Sequence, residues 1–425
     1  MWFLYELLYS LGFCLYLPRA LWRRRLPHAG WTMRLGRYPG RVVDPLRERR
    51  PVWVHAVSVG EVLAARPLLR ALAEQRPNAP LILSTITPAG FSVASQQGAH
   101  VLPIYFPLDL RGCARRALDV LHPACVLLVE SELWPTVLRA AASRGVPIAV
   151  VNGRLSPRTF ARYRLVRPWL RGLFGRIKLF LMQSQADADR LLALGVPPDR
   201  VQVTGSLKWD ASLSARPDPQ VVQDTTVLLG LETDQPVIVA GSTHRGEEPL
   251  VLRAFQALRA AHPTARLIVA PRHLERLAEV EALLRQALAR VVRVSAVRSG
   301  EPWDAALVDA FGELPRYYAL ASVVVIGGSF IPHGGQNPLE ATSLGKPVVF
   351  GPSMHNFEAI THQLLAHHAA RQAADERELA ALFAELVERP EDARQMGRRA
   401  QELTERFQGA TQRTMEALRP LIARD

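Results

Sequence analysis

The stretch VWVHAVSVGEVLAARPLLRAL, Val52 to Leu72, contains the unit from which the whole fold is built. It starts as an apolar run, passes through a Ser-Val-Gly turn and continues with the spacing of an amphipathic helix. Strand, turn and helix in this order are typical of an α/β protein with a parallel sheet. Such sheets bind ligands at the carboxyl ends of their strands, where Glu61 lies. Glu61 is therefore a candidate catalytic residue, or it stabilises the helix start, where an acid gains about 0.3–1 kcal/mol from the helix dipole.

The same pattern recurs along most of the chain. The runs that read as strands are VWVHAV, PLILSTIT, ACVLLVE, VPIAVVN, KLFLMQS and VQVTGS, then PVIVAGST, ARLIVAPRH, DAALVDAF, SVVVIGGSF and KPVVFGPS. Each precedes an amphipathic stretch, which predicts βα units with right-handed crossovers. Between the two groups, residues 211–224 lose this periodicity and gather Ser, Pro and Asp, which predicts a linker. We therefore predict an α/β protein with two Rossmann-like domains, residues 26–210 and 225–425, that face each other across a cleft.

Residues 1–25, MWFLYELLYSLGFCLYLPRALWRRR, differ from the rest of the chain. Met1 to Leu17 is nearly all apolar and has no basic start, so a cleaved signal peptide is not expected. Seventeen helical residues rise about 25 Å against a hydrocarbon core of about 30 Å. We predict a short membrane anchor, with a helix lying on the membrane and a helix docked on a core as alternatives. The arginines that follow place the domains on the cytoplasmic side by the positive-inside rule.

The composition of the chain limits the kinds of partner and cofactor that we expect. The chain has 425 residues, a formal net charge of +13 and a sequence pI near 10.4, which favours anionic partners. Its three cysteines, Cys14, Cys113 and Cys125, form no CxxC pair and have no nearby histidine at metal-ligand spacing. There is no GxxxxGK[ST] loop, and the first strand turn lacks GxGxxG, so neither nucleoside triphosphate hydrolysis nor dinucleotide redox chemistry is indicated.

Several polar residues follow predicted strands. Gly327, Gly328 and Ser329 precede HGGQNPLEATSLG, and backbone N–H groups at such a helix start can bind phosphate. Just inside this helix, an acid can accept hydrogen bonds from ribose hydroxyls or complement the helix dipole. In APRH an arginine can bind a phosphate or form a surface ion pair, and in TGSLKWD a lysine can stabilise a departing phosphate. VESELWP holds Glu130 and Glu132, which point to opposite faces of an extended segment and so form no ready acid/base pair.

These motifs together resemble one family, the bacterial Kdo transferases, which attach 3-deoxy-D-manno-octulosonic acid (Kdo) to a lipid A precursor. The resemblance is carried by HAVSVGEV, TITPAG, ESELWP, NGRLS, TGSLKWD, GSTHRGEE, APRH and GGSFIPHGGQNPLEA, in this order and over essentially the whole chain. It implies a GT-B fold, CMP-Kdo as donor substrate with no further cofactor, lipid IVA as acceptor, and an inverting, metal-independent reaction. It also implies a place at the bacterial inner membrane in lipopolysaccharide biosynthesis.

The resemblance also assigns roles to residues. Glu61 matches the family's catalytic base, and Glu130 and Lys208 match positions assigned to transition-state stabilisation. The positions that match the contacts to CMP are Pro271, Arg272, Gly312, Glu313, Leu314, Asn337, Pro338, Leu339 and Glu340. Gln336 stands where many members carry His, and Gly153 where many carry Ala.

Two rival interpretations remain at this point. Another GT-B enzyme, a glycosyltransferase or epimerase acting on a UDP-sugar, would share the fold. The net charge also fits a nucleic-acid-binding protein at a membrane, but no RRM, KH or helix-turn-helix pattern is present.

Residues 156–178 form a basic segment. It mixes aromatic and aliphatic residues with six arginines, Arg158, Arg162, Arg164, Arg167, Arg171 and Arg176, and Pro168 is expected to divide it into two helices. As an ordinary crossover it would bury one apolar stripe and solvate its arginines. We expect it instead to rest on anionic lipid, each Arg contributing about 1 kcal/mol.

Overall fold

A computed structural model describes residues 2–22, 30–47, 49–77, 79–130 and 133–422. These residues form two compact units, and the chain crosses from the first to the second and back. Unit 1 comprises residues 1–211 and 408–425, and unit 2 comprises residues 212–407. Each unit contains one seven-stranded, wholly parallel sheet, as the alternation of apolar runs and amphipathic stretches predicts.

The sheet of unit 1 has the strand order β3-β2-β1-β4-β5-β6-β7. Its strands are β1 (Val52–His55), β2 (Leu81–Thr85), β3 (Val101–Tyr105), β4 (Cys125–Val129), β5 (Ile148–Gly153), β6 (Leu179–Met182) and β7 (Val201–Val203). The central strands β1, β2 and β4 are buried at every position, as strands of a parallel sheet covered on both faces should be. The strand order reverses direction between β1 and β4, which makes their carboxyl ends the expected ligand crevice.

The helices of unit 1 connect these strands and cover both faces of the sheet. They are α1 (Trp2–Trp22), α2 (Trp31–Arg34), α3 (Gly40–Val43), α4 (Val59–Gln75), α5 (Pro88–Ala94), α6 (Arg111–Leu121), α7 (Pro135–Ala142), α8 (Pro157–Leu165), α9 (Arg167–Phe174), α10 (Gln185–Ala193) and α11 (Leu207–Ser214). Two single-turn 3-10 helices, Asp44–Leu46 and Pro198–Arg200, complete them. Pro168 lies in the first turn of α9 and marks its separation from α8, so this part of the prediction is confirmed.

Unit 2 repeats the plan with the strand order β10-β11-β9-β8-β12-β13-β14. Its strands are β8 (Val237–Thr243), β9 (Arg266–Pro271), β10 (Val291–Arg293), β11 (Ala305–Leu307), β12 (Val323–Ile326), β13 (Val348–Phe350) and β14 (Arg371–Gln372). Its helices are α12 (Pro219–Leu228), α13 (Glu247–Ala261), α14 (Leu277–Ala287), α15 (Leu314–Tyr318), α16 (Leu339–Thr342), α17 (Glu358–Ala366), α18 (Glu376–Glu388) and α19 (Pro390–Arg406), with 3-10 turns at Leu274–Arg276, Val294–Ala296 and His355–Phe357. Here the order reverses between β8 and β12.

The structure differs from the predicted domain plan at two places. Helices α11 and α12 occupy parts of residues 211–224, which the sequence read as a linker. The last helix, α20 (Ala410–Ile422), packs on α4 in unit 1, whereas the sequence placed it with the second domain. Leu418 and Ile422 of α20 are buried in the core that contains β1, and Asp210 accepts hydrogen bonds from the backbone N–H groups of Gly409 and Thr411. These contacts explain why the chain returns to unit 1.

The N-terminal segment also differs from its prediction. Within the described ranges, none of the helices combines the length and apolar character that crossing a membrane requires, so the predicted anchor at residues 1–25 is not supported. Helix α1 instead docks on unit 1, while residues 23–25 lie outside the described part. The Tyr5 hydroxyl donates to Oδ2 of Asp109 at 2.7 Å, and the rings of Tyr5 and Trp169 lie 6.2 Å apart. Asp109 is fully buried and also accepts hydrogen bonds from two N–H groups at the start of α7.

Candidate active site

Glu61 lies in the first turn of α4, directly after β1. Its Oε2 accepts a hydrogen bond from the Val57 N–H at 2.8 Å, and its Oε1 accepts one from the Ser58 hydroxyl at 3.1 Å. The Ser58 oxygen in turn accepts from the Glu61 N–H at 3.4 Å, so the two residues cap the helix reciprocally. The carboxylate is half-buried and held in one orientation. A carboxylate offers about four lone-pair sites, so the contacts with Val57 and Ser58 do not by themselves prevent it from accepting a proton.

Glu130 and Lys208 come together although they lie 78 positions apart in the sequence. The Lys208 ammonium lies 2.9 Å from Oε1 of Glu130, and the two side chains are 15% and 20% exposed. Glu130 follows β4 with a positive φ of 63°, and its N–H donates to the carbonyl of Val151 at the end of β5. Because so few non-glycine residues adopt this conformation, its presence at a strand end points to a site that fixes a side-chain direction.

Asn152 explains how Lys208 reaches Glu130. Residue 152 is fully buried near the end of β5, with a positive φ of 54°. Its Oδ1 accepts a hydrogen bond from the Leu207 N–H at 2.9 Å, which draws the start of α11 back over the strand ends. Sequence reasoning quoted Asn152 only as part of NGRLS and gave it no role. Its signal was a polar residue within an apolar strand, a position that usually requires a specific partner.

Glu61 and Glu130 therefore lie at one edge of the first sheet. The strands β1 and β4 are parallel neighbours, with His55 in register with Leu128, so the residues that follow them emerge side by side. This is the reversal point of the strand order, where an open α/β sheet keeps its ligand crevice. Glu132, the other carboxylate noted in this motif, lies outside the described residues.

The nucleotide-site candidates of unit 2 lie at the equivalent edge of the second sheet. Pro271 ends β9, and the N–H of Arg272 donates to the carbonyl of Thr243 at 2.9 Å, which ties the end of β9 to the end of β8. In the part of the chain that the structure describes, the Arg272 guanidinium has no ion-pair or hydrogen-bond partner. A planar cation in this position suits an oxyanion ligand.

Two further groups of candidates lie close together in unit 2. Gly312 has a φ of 83°, Glu313 pairs with Arg316, and Leu314 begins α15. Oδ1 of Asn337 accepts a hydrogen bond from the N–H of Leu339 at 3.1 Å, and Pro338 precedes α16. Helices α15 and α16 pack together. Burial raises the pKa of Tyr318 at the end of α15, and the nearby charge of Glu340 on α16 raises it as well.

A buried carboxylate holds the loop that follows β12, whereas the phosphate site predicted at the start of α16 stays a prediction. The N–H groups of Gly328, Ser329 and Phe330 all donate to the carboxylate of Glu247, at 2.6, 2.9 and 3.0 Å. Glu247 is 1% exposed and accepts a fourth bond from the N–H of His244. Because a resident carboxylate occupies these donors, they cannot also bind a phosphate. Sequence reasoning missed Glu247, because its partners in the 328–330 loop lie more than 80 residues further along the chain.

Comparison with known proteins identifies the family. A profile described as "3-Deoxy-D-manno-octulosonic-acid transferase (kdotransferase)" matches residues 29–211. The 3-deoxy-D-manno-octulosonic acid transferase of Bordetella pertussis is 36% identical to this chain over 416 residues, with 94% of each chain covered. The chain belongs to the Kdo transferases. The Haemophilus influenzae member is 31% identical over 379 residues, 88% of each chain.

This Kdo transferase is therefore an enzyme, a glycosyltransferase. The segment matched by the family profile, 29–211, includes Glu61, Glu130 and Lys208. Solved structures support the fold: the UDP-GlcNAc 2-epimerase of Neisseria meningitidis matches with a TM-score of 0.61, 16% identity, and coverage of 87% of this chain and 99% of the epimerase. At this identity the likeness concerns the two parallel-sheet domains alone.

Among the described residues of this Kdo transferase, no group of three or more His, Cys, Asp or Glu side chains is arranged to hold a metal ion. Metal independence stays a prediction.

Proposed function

We propose that the chain transfers Kdo from CMP-Kdo to a lipid A precursor, lipid IVA, with inversion at the anomeric carbon. Family membership supports Kdo transfer. The observation that carries the chemistry is the Glu130–Lys208 pair of 2.9 Å at the strand edge that also bears Glu61. An acid, a paired cation and a ligand crevice are the parts that a direct displacement needs.

In the proposed reaction an acceptor hydroxyl attacks the anomeric carbon of Kdo. Glu61 takes the hydroxyl proton, a step for which general-base help is typically worth about 10²–10⁴-fold. The bond to the phosphate breaks on the opposite face, and its electron pair leaves with CMP. Lys208, oriented by Glu130, stabilises the negative charge that develops during this step.

The donor is assigned to unit 2. Arg272 is the cation proposed for the phosphate, and its position beside the end of β8 supports this role. The residues proposed to contact CMP lie at the carboxyl edge of the second sheet and on or next to α15 and α16, and this clustering supports the assignment. They are Pro271, Gly312, Glu313, Leu314, Asn337, Pro338, Leu339 and Glu340.

We propose a peripheral location at the cytoplasmic face of the inner membrane. Helix α1 presents Leu7, Leu8, Leu11 and Leu15 on one face, each more than half exposed. The contact between Tyr5 and Trp169 places α1 next to α9 of the basic segment. Apolar side chains beside arginines suit a surface of anionic lipid, where the acceptor also lies.

The test is a transfer assay with purified protein, CMP-Kdo and lipid IVA in excess EDTA. Mass analysis of the lipid should show a gain of Kdo, and the size of the gain gives the number of residues added. UDP-GlcNAc in place of CMP-Kdo should give no product and no epimer. Product from the UDP-sugar alone would favour the rival GT-B function, and loss of transfer in EDTA that Mg²⁺ restores would show that the reaction needs a metal.

A further inference from the structure

Three imidazoles meet at the reversal point of the second sheet. His244 follows β8, and its ring centroid lies 4.0 Å from that of His333 and 5.5 Å from that of His273. The side-chain amide of Gln336 contacts the same ring. We call His244, His273, His333 and Gln336 the imidazole cluster. None of the four was assigned a role by the sequence, and the cluster lies where β8 and β12 run side by side, the expected crevice of this sheet.

Gln336 fixes the protonation of the central ring. Its Nε2 lies 3.1 Å from Nε2 of His244, and an amide nitrogen can only donate. Nε2 of the neutral ring therefore accepts, and Nδ1 carries the proton and can donate to a ligand. His244 is 7% exposed, whereas His273 and His333 are open to solvent.

Four backbone donors at this edge are occupied by one carboxylate. Glu247 takes the N–H groups of residues 328–330 and of His244, so the neighbouring carboxylate is committed to the loop. Gly328 has a φ of 69°, and a Cβ there would lie 3.3 and 3.4 Å from Cδ2 of His333 and His244. The loop thus lies flat against the two rings, and an anion bound here does not reach the N–H groups of residues 328–330, so side chains are its expected partners.

The charges that face His244 are mainly positive. Burial, followed by the neighbouring His333, His273, Arg272 and Arg276, lowers the pKa of His244 to about 4. Some of these cations already have acidic partners and are therefore less available to a ligand. Arg276 is neutralised by Glu248 at 2.8 Å and Glu279 at 3.1 Å, and His273 faces Glu275 at 3.3 Å.

Arg272 differs from Arg276 and His273 in this respect. Within the described ranges its guanidinium has no anionic partner, and its backbone is hydrogen-bonded to Thr243, the residue before His244. An unpaired cation beside three imidazoles forms a pocket of positive potential that an oxyanion would neutralise.

We propose that the imidazole cluster, together with Arg272, binds an oxyanion of the sugar-nucleotide donor and takes up a proton when that anion binds. This extends the proposed function, because the donor carries two such groups, the phosphate of CMP and the carboxylate of Kdo. An anion close to an imidazole favours the charged ring, so binding and protonation support each other. Donor affinity then rises as the pH falls.

The experiment is isothermal titration calorimetry of the full chain at pH 6.5 in buffers of different ionisation enthalpy, which gives the protons taken up. The double variant His273→Gln/His333→Gln changes two solvent-open rings, and His244→Asn changes the buried one. We expect proton uptake by the parent, its loss in the double variant, and roughly tenfold weaker donor binding, as for the loss of a charge-assisted hydrogen bond. His362→Gln, an exposed histidine on α17, is the matched control and should bind as the parent does.

Two ligands, CMP and CMP-Kdo, identify which anion is bound. If the variants bind free CMP more weakly than the parent does, the cluster binds the phosphate. If they bind CMP-Kdo more weakly but bind CMP with unchanged affinity, the cluster binds the Kdo carboxylate. Equal affinity and equal proton uptake in the double variant and its parent for both ligands would overturn the assignment. If the parent binds CMP with proton uptake but transfers no Kdo, the proposed function fails and the cluster stands. Absence of binding to either ligand overturns both.

Discussion

At Glu61 one carboxylate has two roles that substitution can separate. Glu61→Gln keeps an oxygen that can accept from Val57 or Ser58, so the helix start should survive, but the amide cannot take up the acceptor's proton. We expect transfer to fall by about 10²–10⁴-fold while CMP affinity and the melting temperature change little. Steady-state transfer assays and calorimetry measure both.

Ser58→Ala is the matched control for Glu61→Gln. It removes the capping hydroxyl and should cost about 1 kcal/mol of stability, with a much smaller loss of transfer. If Glu61→Gln turns over as the parent does, Glu61 is a helix cap only and the base must be sought elsewhere.

The Glu130–Lys208 pair should behave as one group. Lys208→Met leaves a poorly exposed carboxylate without its cation, and Glu130→Gln leaves the lysine without its orienting partner. We expect each change to lower the turnover number by at least about tenfold, and the double variant to be little worse than Lys208→Met, because residues that act as a unit are not additive. Fully additive effects on turnover would show that the two side chains act independently.

His55 should make unit 1 sensitive to acid. The ring is fully buried, stacks on Phe106 at 3.7 Å, and its Nδ1 lies 2.9 Å from the Ser84 hydroxyl. Burial lowers its pKa from 6.5 to about 3. The unfolded chain therefore binds more protons between these values, so stability is complete above about pH 6.5 and falls as the pH drops toward 3. At pH 5 this single group costs about 2 kcal/mol.

Urea unfolding of the parent and of His55→Asn from pH 7.5 to 4.5 measures this effect. The variant should start less stable but lose less stability as the pH falls. Parallel pH curves for the two proteins would show that His55 does not titrate on unfolding as described.

Among the secondary-structure elements, the surface formed by α1, α8 and α9 makes the sharpest prediction. Arg162, Arg167 and Arg171 are exposed, and α8 buries none of its own residues. If this face rests on lipid, replacing the three arginines by Gln should remove roughly 3 kcal/mol of attraction to anionic vesicles and leave neutral vesicles unaffected. Vesicle co-sedimentation with and without anionic lipid measures this.

The control for this triple variant carries the same charge change on unit 2. Arg377, Arg389 and Arg406 are exposed on or next to α18 and α19, and their replacement by Gln should leave vesicle binding close to that of the parent. If both triple variants lose the same amount of vesicle binding, the effect depends only on net charge. If neither variant loses vesicle binding, α8 and α9 form an ordinary solvated crossover.

The elements that the sequence predicted are those with continuous apolar runs. Strands buried on both faces, such as β1 and β4, are recognisable because nearly all of their residues are apolar. The sequence did not predict β3, which Pro103 interrupts and which lies at a sheet edge, nor β10 and β14, which have three and two residues. Contacts such as that of Glu247 with the 328–330 loop were also beyond prediction, because they depend on the tertiary arrangement.

For the whole molecule, the return of the chain to unit 1 has a measurable consequence. The sequence offered no signal for it, since α20 is an ordinary amphipathic helix whose partner is set by the fold. Leu418 and Ile422 are buried with β1 and α4, and burial of two such side chains stabilises by about 3–6 kcal/mol. Ending the chain after Phe407 should therefore weaken unit 1, although the residues removed follow unit 2 in sequence.

Hydrogen exchange of the chain ending at Phe407 tests this directly. Amides of β1 should lose protection while those of β8 keep it, because unit 2 retains all of its own elements. Leu418→Ala should act in the same direction at about 2–5 kcal/mol, and Leu386→Ala on α18 is its matched counterpart, which should loosen β8 and spare β1. A truncated chain that loses protection in β8 first would place α20 with unit 2, as the sequence alone suggested. Protection unchanged in both strands would show that α20 contributes nothing to either core.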